Sequence, residues 1–184
     1  MDKGAGSYLR YLAGDDEGLA DLIREYRDGL IFYLNGFVND LHAAEDLAEE
    51  VFIRLAVKKP RFKERSSFKT WLYAIGRNEA YSAIRRKKAV YVPLEELPEL
   101  PDVYGCPDLS FFAEERNRAL HRCLGRLKSE YHQVLWLYYF ESLSAKEIAA
   151  VMDRSVHSVD TLLYRARLAA KRELEKEGFD HENL

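Results

Sequence analysis

Apolar residues recur three and four positions apart through Leu19, Leu22, Ile23, Tyr26, Leu30, Leu34, Phe37 and Val38. That spacing lines one stripe of a helix with about 3.6 residues per turn. Ile31, Phe32 and Tyr33 widen the stripe and predict a helix packed on more than one side. Gly29 and Gly36 weaken the case for an unbroken helix, because glycine is a poor helix former. A second helix is predicted from about Ala43 to Val57, with Leu47, Val51 and Leu55 on one face and Asp46, Glu49 and Glu50 on another. Pro60 then breaks the chain, and the polar loop RFKERSS ends in Ser66 and Ser67, either of which suits a helix N-cap. On the helix that follows, Phe68, Leu72 and Ile75 form a core stripe, while Trp71, Asn78 and Arg85 step along a neighbouring face at intervals of seven. Spacing alone leaves Trp71 open between core and function.

In the second half, Leu120, Cys123, Leu124 and Leu127 mark one helix, and another is predicted from about Ser129 to Phe140 through Val134, Leu135 and Tyr138. The stretch LSAKEIAAVMDRSVHSVDTLLYRAR is more specific. Ser144 and Glu147 stand at capping-box spacing, and Ala149, Asp153 and Val159 occupy the small, turn and apolar positions of a helix-turn-helix. Asp at the turn tolerates a left-handed backbone better than most residues. Ser155 suits the cap of the second helix, whose Val159, Leu162, Leu163 and Ala166 face inward. Its remaining positions are polar: His157, Ser158, Asp160, Thr161, Tyr164, Arg165 and Arg167. The same hairpin also occurs in purely structural helical bundles, but the cations Arg154, Arg165, Arg167, Lys171 and Arg172 suit phosphates around a helix in a major groove.

Charge adds a division of the chain. The net charge of −3 over 184 residues hides strong segregation. Lys58 to Lys88 carries eleven cations against Glu64 and Glu79, whereas Ala89 to Glu115 has seven acids, no Lys or Arg, and four of the five prolines. Proline and self-repelling charge favour an extended connector there. The expected organisation is therefore all-α, with helical domains over residues 1–88 and 116–184 and an acidic, proline-containing linker over 89–115.

Catalytic patterns do not emerge: no glycine-rich phosphate loop or serine nucleophile elbow is present, so a non-enzyme without cofactor is expected. Cys106, His121 and Cys123 are too scattered for a paired zinc motif, no metal is expected, and two reduced thiols fit better than a disulfide. His42, His132 and His181 are read as exposed polar residues. The start MDKGAGSYLR has no apolar signal core and no stretch reaches the ~20 apolar residues of a span, so a cytoplasmic chain without membrane insertion is expected.

The segments AEDLAEEVFIRL, SSFKTWLYAIGRNEA and EIAAVMDRSVHSVDTLLYRAR, in that order, resemble the bacterial RNA polymerase sigma factors of the extracytoplasmic-function group. The resemblance spans about Leu19 to Leu174, with the linker unmatched. It implies a first domain that docks on core RNA polymerase through Asp46, Leu47, Glu50 and Phe52. The segment RFKERSSFKTWLYAIGRN would engage the minus-10 promoter element as the duplex opens, with Lys63, Arg65, Ser66, Ser67, Lys69, Trp71, Tyr73, Arg77, Asn78, Arg85, Arg86, Lys87 and Lys88 as its candidates. Opened DNA needs aromatic stacking partners and cations, which these residues include. The second domain would read the minus-35 element through Arg154, Ser155, His157, Ser158, Asp160, Thr161, Tyr164, Arg165 and Arg167.

Asp160 and Leu162 depart from the basic residues common there, which implies a promoter preference of this chain's own. Promoter DNA and an inhibitory anti-sigma factor are the further partners that the resemblance implies. The main rival is a stand-alone helix-turn-helix regulator with a helical N-terminal sensor domain. An enzyme or scaffold whose hairpin never meets DNA is the other.

Overall fold

Capping and burial explain where each helix starts and how it lies. The computed structural model describes residues 2–91 and 115–176, with side chains for 2–87 and 120–176. Among the described residues, regular structure is entirely helical. The first lobe contains α1 (Lys3–Leu12), α2 (Glu17–Val38), α3 (Leu41–Lys58) and α4 (Phe68–Tyr91). The second contains α5 (Glu115–Arg126), α6 (Ser129–Leu135), a π-helical turn (Trp136–Phe140), α7 (Ala145–Met152) and α8 (Val156–Lys176). Two small helical domains are thus present. Most of the expected acidic linker, residues 92–114, lies outside the described residues, as do Cys106 and His181.

Asp2 joins two helix starts. One carboxylate oxygen accepts from Gly4 N at 3.0 Å to cap α1, and the other accepts from Phe68 N at the start of α4. The α1 helix has no counterpart in the hydrophobic reading above, yet its Tyr8 and Tyr11 are buried and donate to the Pro60 and Ala56 carbonyls at 2.7 and 2.9 Å. Leu22, Leu30, Leu34, Val51, Leu55, Phe68 and Leu72 complete this lobe's core. In the second lobe, Leu124, Val134, Leu137, Ile148, Val151, Val159 and Leu163 are buried together.

Despite Gly29 and Gly36, α2 runs unbroken from Glu17 to Val38. Its glycines serve close approach instead. Gly29, Phe32 and Gly36 share a face at steps of three and four, and the second lobe sits directly on it. A Cβ on Gly36 would lie 2.6 Å from His132 Cδ2, and one on Gly29 would collide with the Glu141 carboxylate. Phe32 packs between the glycines against the rings of Trp136 and His121, with centroids 5.3 and 5.1 Å away. Ser129 Oγ donates to Gly36 O, a carbonyl near the end of α2.

His132 corrects another expectation. It is 5% exposed, held between the lobes with Nε2 3.1 Å from Phe32 O and Nδ1 3.2 Å from Leu124 O. Its ring parallels Trp136, which stacks on Phe140 at 4.1 Å. His42, by contrast, is exposed as expected.

Burial holds the pKa of both His121 and His132 below the ordinary 6.5, His121 at about 4, because a charged imidazole loses its water there. Protonation therefore favours the opened or unfolded chain. The stabilisation is complete above pH 6.5 and is lost as pH falls from 6.5 towards 4. By pH 5, His121 alone is expected to remove about 2 kcal/mol. Thermal unfolding and amide exchange of α2 between pH 7.5 and 5 measure the loss, and a flat profile contradicts it.

Candidate nucleic-acid interface

The start of α4 is built by its caps. Ser67, rather than Ser66, is the capping residue: its Oγ accepts from Thr70 N at 3.2 Å, and its carbonyl accepts from Trp71 N at 3.1 Å. Phe68 is fully buried against Tyr8, Tyr26, Phe62 and Trp71. Trp71 packs one side into this aromatic group, 5.2 Å from Phe62 and 5.5 Å from Tyr8, and remains half-buried. Lys63 and Arg65 are exposed in the preceding loop, where Ser66 and Ser67 are half-buried. Further along, Arg77 lies over the Tyr81 ring at 4.8 Å, Asn78 is exposed, and Arg85, Arg86 and Lys87 project into solvent. Lys88 belongs to α4, but its side chain lies outside the described residues.

Tyr73 is not available to stack on a base. It is 0% exposed, packed on Tyr33 at 5.2 Å, because α4 is covered on this side by both α2 and the second lobe. Burial, reinforced by the nearby Glu141 carboxylate, pushes its hydroxyl pKa well above the usual value.

Leu47 and Phe52 are likewise corrected. At 5% and 7% exposed they belong to the core of the first lobe, not to a docking surface. The outward face of α3 instead carries Asp46, Glu49, Glu50, Ile53 and Val57, spaced three, four and seven apart. Ile53 and Val57 are 59% and 76% exposed, unusual for aliphatic side chains on one stripe. Neither residue figured among the candidates, although EEVFIRLAV contains the signal: an apolar residue out of phase with the core stripe. Glu50 also pairs with Arg86 at 3.3 Å, joining the acidic face of α3 to the basic end of α4.

The helix-turn-helix has the local structure its sequence predicts. Ser144 Oγ accepts from Glu147 N at 3.3 Å, while Glu147 Oε2 accepts from Ser144 N at 3.0 Å. Asp153 adopts the left-handed conformation, with φ 53° and ψ 52°, and ends α7. Ser155 Oγ accepts from Ser158 N at 3.2 Å at the start of α8. His157, Asp160, Thr161, Tyr164, Arg165 and Arg167 are exposed on α8, with Ser158 half-buried, whereas Leu162 packs inward. Arg154 pairs with Glu130, and Arg167 lies over Tyr138 and Tyr139 at 5.0 and 5.6 Å. This exposed aromatic group comes from the π-helical turn, which ordinary helical periodicity does not anticipate.

One lobe thus carries a basic helix with a partly open tryptophan, and the other a capped helix-turn-helix with a polar outer face. Among the described residues, no group of three or more His, Cys, Asp or Glu side chains is placed to hold a metal, and no helix is long and apolar enough to cross a membrane.

These features define a two-lobed helical protein with a helix-turn-helix, and comparison with known proteins places it among DNA-binding transcription factors. Residues 22–90 match the Sigma-70 region 2 family and residues 117–169 match Sigma-70, region 4. The chain is 30% identical over 162 residues to RNA polymerase sigma factor YlaC of Bacillus subtilis, covering 87% of this chain and 94% of that one. It is 29% identical over 170 residues to the ECF RNA polymerase sigma factor SigW of the same organism, covering 88% and 91%. The sigma factor RpoE of Bartonella quintana, solved with the anti-sigma factor NepR, shares the fold with a TM-score of 0.62 at 22% identity, covering 85% of this chain and 96% of that one.

The chain belongs to the extracytoplasmic-function group of bacterial RNA polymerase sigma factors. It is a transcription initiation factor that binds core RNA polymerase and promoter DNA, and it is not an enzyme.

Proposed function

We propose that the exposed stripe of α3 docks on core polymerase, that the start and outer face of α4 handle the opened minus-10 element, and that α8 reads the minus-35 element. The observation that carries this division is the exposure of three distinct faces: acidic and aliphatic on α3, basic with Trp71 on α4, and polar on α8. The docking residues are Asp46, Glu49 and Glu50, with Ile53 and Val57 as apolar anchors in place of Leu47 and Phe52. Lys63, Arg65, Lys69, Arg77, Arg85, Arg86, Lys87 and Lys88 supply phosphate contacts, while Ser66, Ser67 and Asn78 supply polar contacts near Trp71. On α8 and the turn that precedes it, Ser155, His157, Ser158, Asp160, Thr161 and Tyr164 face bases and Arg154, Arg165 and Arg167 face the phosphate backbone. The protein works in the cytoplasm, where an anti-sigma factor holds it inactive.

Purified core polymerase is expected to initiate from specific fragments of a genomic library only when this protein is added. Trp71→Ala should abolish strand opening, read by permanganate reactivity, while polymerase binding persists; the thermal midpoint should fall, because Trp71 packs on Tyr8, Phe62 and Phe68, but the variant should remain folded. DNA binding without initiation would support the stand-alone regulator instead, and unfolding of the variant would return Trp71 to the core.

Ile53→Asp should weaken binding to core polymerase about tenfold or more, since one buried aliphatic anchor contributes about 1.5 kcal/mol or more. Its exposure predicts an unchanged melting temperature. Undiminished polymerase binding would exclude the α3 stripe.

Asp160 can accept from a cytosine amino group and disfavours guanine and phosphate. Selection from a randomised minus-35 library should therefore change with Asp160→Arg, by about 1–3 kcal/mol of discrimination at one base pair. An identical selected sequence would remove Asp160 from base reading.

A further inference from the structure

The junction between the lobes places two carboxylates of the second lobe on the start of α4. Glu147 completes the α7 capping box with Oε2 and turns Oε1 to the first lobe, where Ser67 Oγ and Thr70 Oγ1 lie 3.2 and 3.4 Å away. Glu141 sets Oε2 3.0 Å from Lys69 Nζ, and its carbonyl accepts from the same ammonium at 3.2 Å. The Glu141 carboxylate is 10% exposed and lies over Gly29 beside Tyr73. Hydroxyls at a helix N-terminus and a neighbouring lysine form a binding set for oxyanions. Here the oxyanions come from the chain itself.

We infer that Glu141 and Glu147 compete with backbone phosphates of the opened minus-10 strand, so that the closed arrangement of the lobes and capture of that strand exclude one another. The inference rests on the assignment of α4 to the minus-10 element. The reach of the junction supports the competition. Lys69 and Ser67 cannot satisfy a phosphate while bound to these carboxylates, and Phe32, Gly29 and Gly36 hold the second lobe against the same side. By contrast, the outer face of α8 and the α3 stripe stay exposed in the closed form. Closure therefore acts on strand capture, not on every partner.

The junction is also built to release. Gln133 Oε1 and Trp136 Nε1 are buried without a hydrogen-bond partner among the described residues, and opening would return them to water. Gly36 is the position where one added methyl group, 2.6 Å from His132 Cδ2, drives the lobes apart without changing charge.

The test uses the full chain, without polymerase, and a fluorescein-labelled random single-stranded DNA 12-mer at low salt. Glu141→Gln with Glu147→Gln, and separately Gly36→Ala, should each raise affinity about tenfold, within the usual range of coupling between sites. Small-angle scattering should show a larger radius of gyration for Gly36→Ala. Asp28→Asn with Glu17→Gln removes equal charge from exposed positions outside the junction and should change affinity less than twofold. Adding Lys69→Ala to Gly36→Ala should cancel most of the gain.

Unchanged affinity in the carboxylate pair and in Gly36→Ala overturns the inference, as does an equal gain in the charge control or a gain that survives Lys69→Ala. Strand opening by polymerase with Trp71→Ala separates the two claims. If opening is lost there but the free chain shows no gain, competition fails and the minus-10 assignment stands. If opening is normal, that assignment fails, and the inference with it.

Discussion

The buried ring of Phe68 sets the geometry on which both faces of α4 depend. It is enclosed by Tyr8, Tyr26, Phe62 and Trp71, while its backbone N–H is tied to Asp2 from the chain's beginning. Aromatic packing and a helix cap thereby fix the same residue from two directions. The rotation of α4 follows: Trp71 leans on the aromatic group with part of its surface open, Tyr73 turns into the core, and Lys69 and Thr70 point to the second lobe. Moving Phe68 would reorient all four, because helical residues keep fixed angular relations.

Glu147 extends this constraint across the chain. A capping carboxylate ordinarily serves only its own helix, but this one also meets Ser67 and Thr70 more than seventy residues away. Hydrogen bonds with Ser144, then with Ser67 and Thr70, keep it ionised by holding its pKa below the usual carboxylate value. The start of the helix-turn-helix and the start of α4 are therefore coupled through one side chain, and the coupling uses groups whose geometry each lobe requires in any case.

Local rules were legible in proportion to how local their causes are. The Ser144–Glu147 box, the left-handed Asp153 and the Ser155 cap each depend on a few consecutive residues, and each forms as its sequence predicts. Core stripes of α2, α3 and α8 were equally readable from periodicity. What escaped depends on contacts between distant segments. Gly29 and Gly36 look like helix breakers until a second lobe is placed against them, and His132 looks like a surface residue until Phe32 O is opposite its ring. The α1 helix carries glycines at positions 4 and 6 and few aliphatic residues, so its burial rests on two tyrosines that periodicity did not single out. Leu47 lies on the core stripe with Val51 and Leu55, as its spacing indicates, and only the family resemblance put it on a docking surface; Phe52 is buried because a helix covered on two sides also buries residues flanking its main stripe, leaving Ile53 and Val57 as the apolar residues outside.

The distribution of charge bears on how such a small protein can open DNA without hydrolysing a nucleotide. Unstacking a base step costs a few kcal/mol, whereas one aromatic stacking partner returns only about 1–3 kcal/mol. On the proposed assignment, Trp71 by itself at best balances one step, and the remaining free energy would come from phosphate contacts along the basic end of α4 and from the polymerase that holds the protein in register. An overall charge of −3 disfavours indiscriminate binding of duplex, and on the competition inferred above the carboxylates on Lys69 and Ser67 would weaken the hold on single strands further. Under that proposal, specific opening would require the faces on α3, α4 and α8 to be engaged together, so that strand capture is conditional on the polymerase complex in which all three faces have their partners.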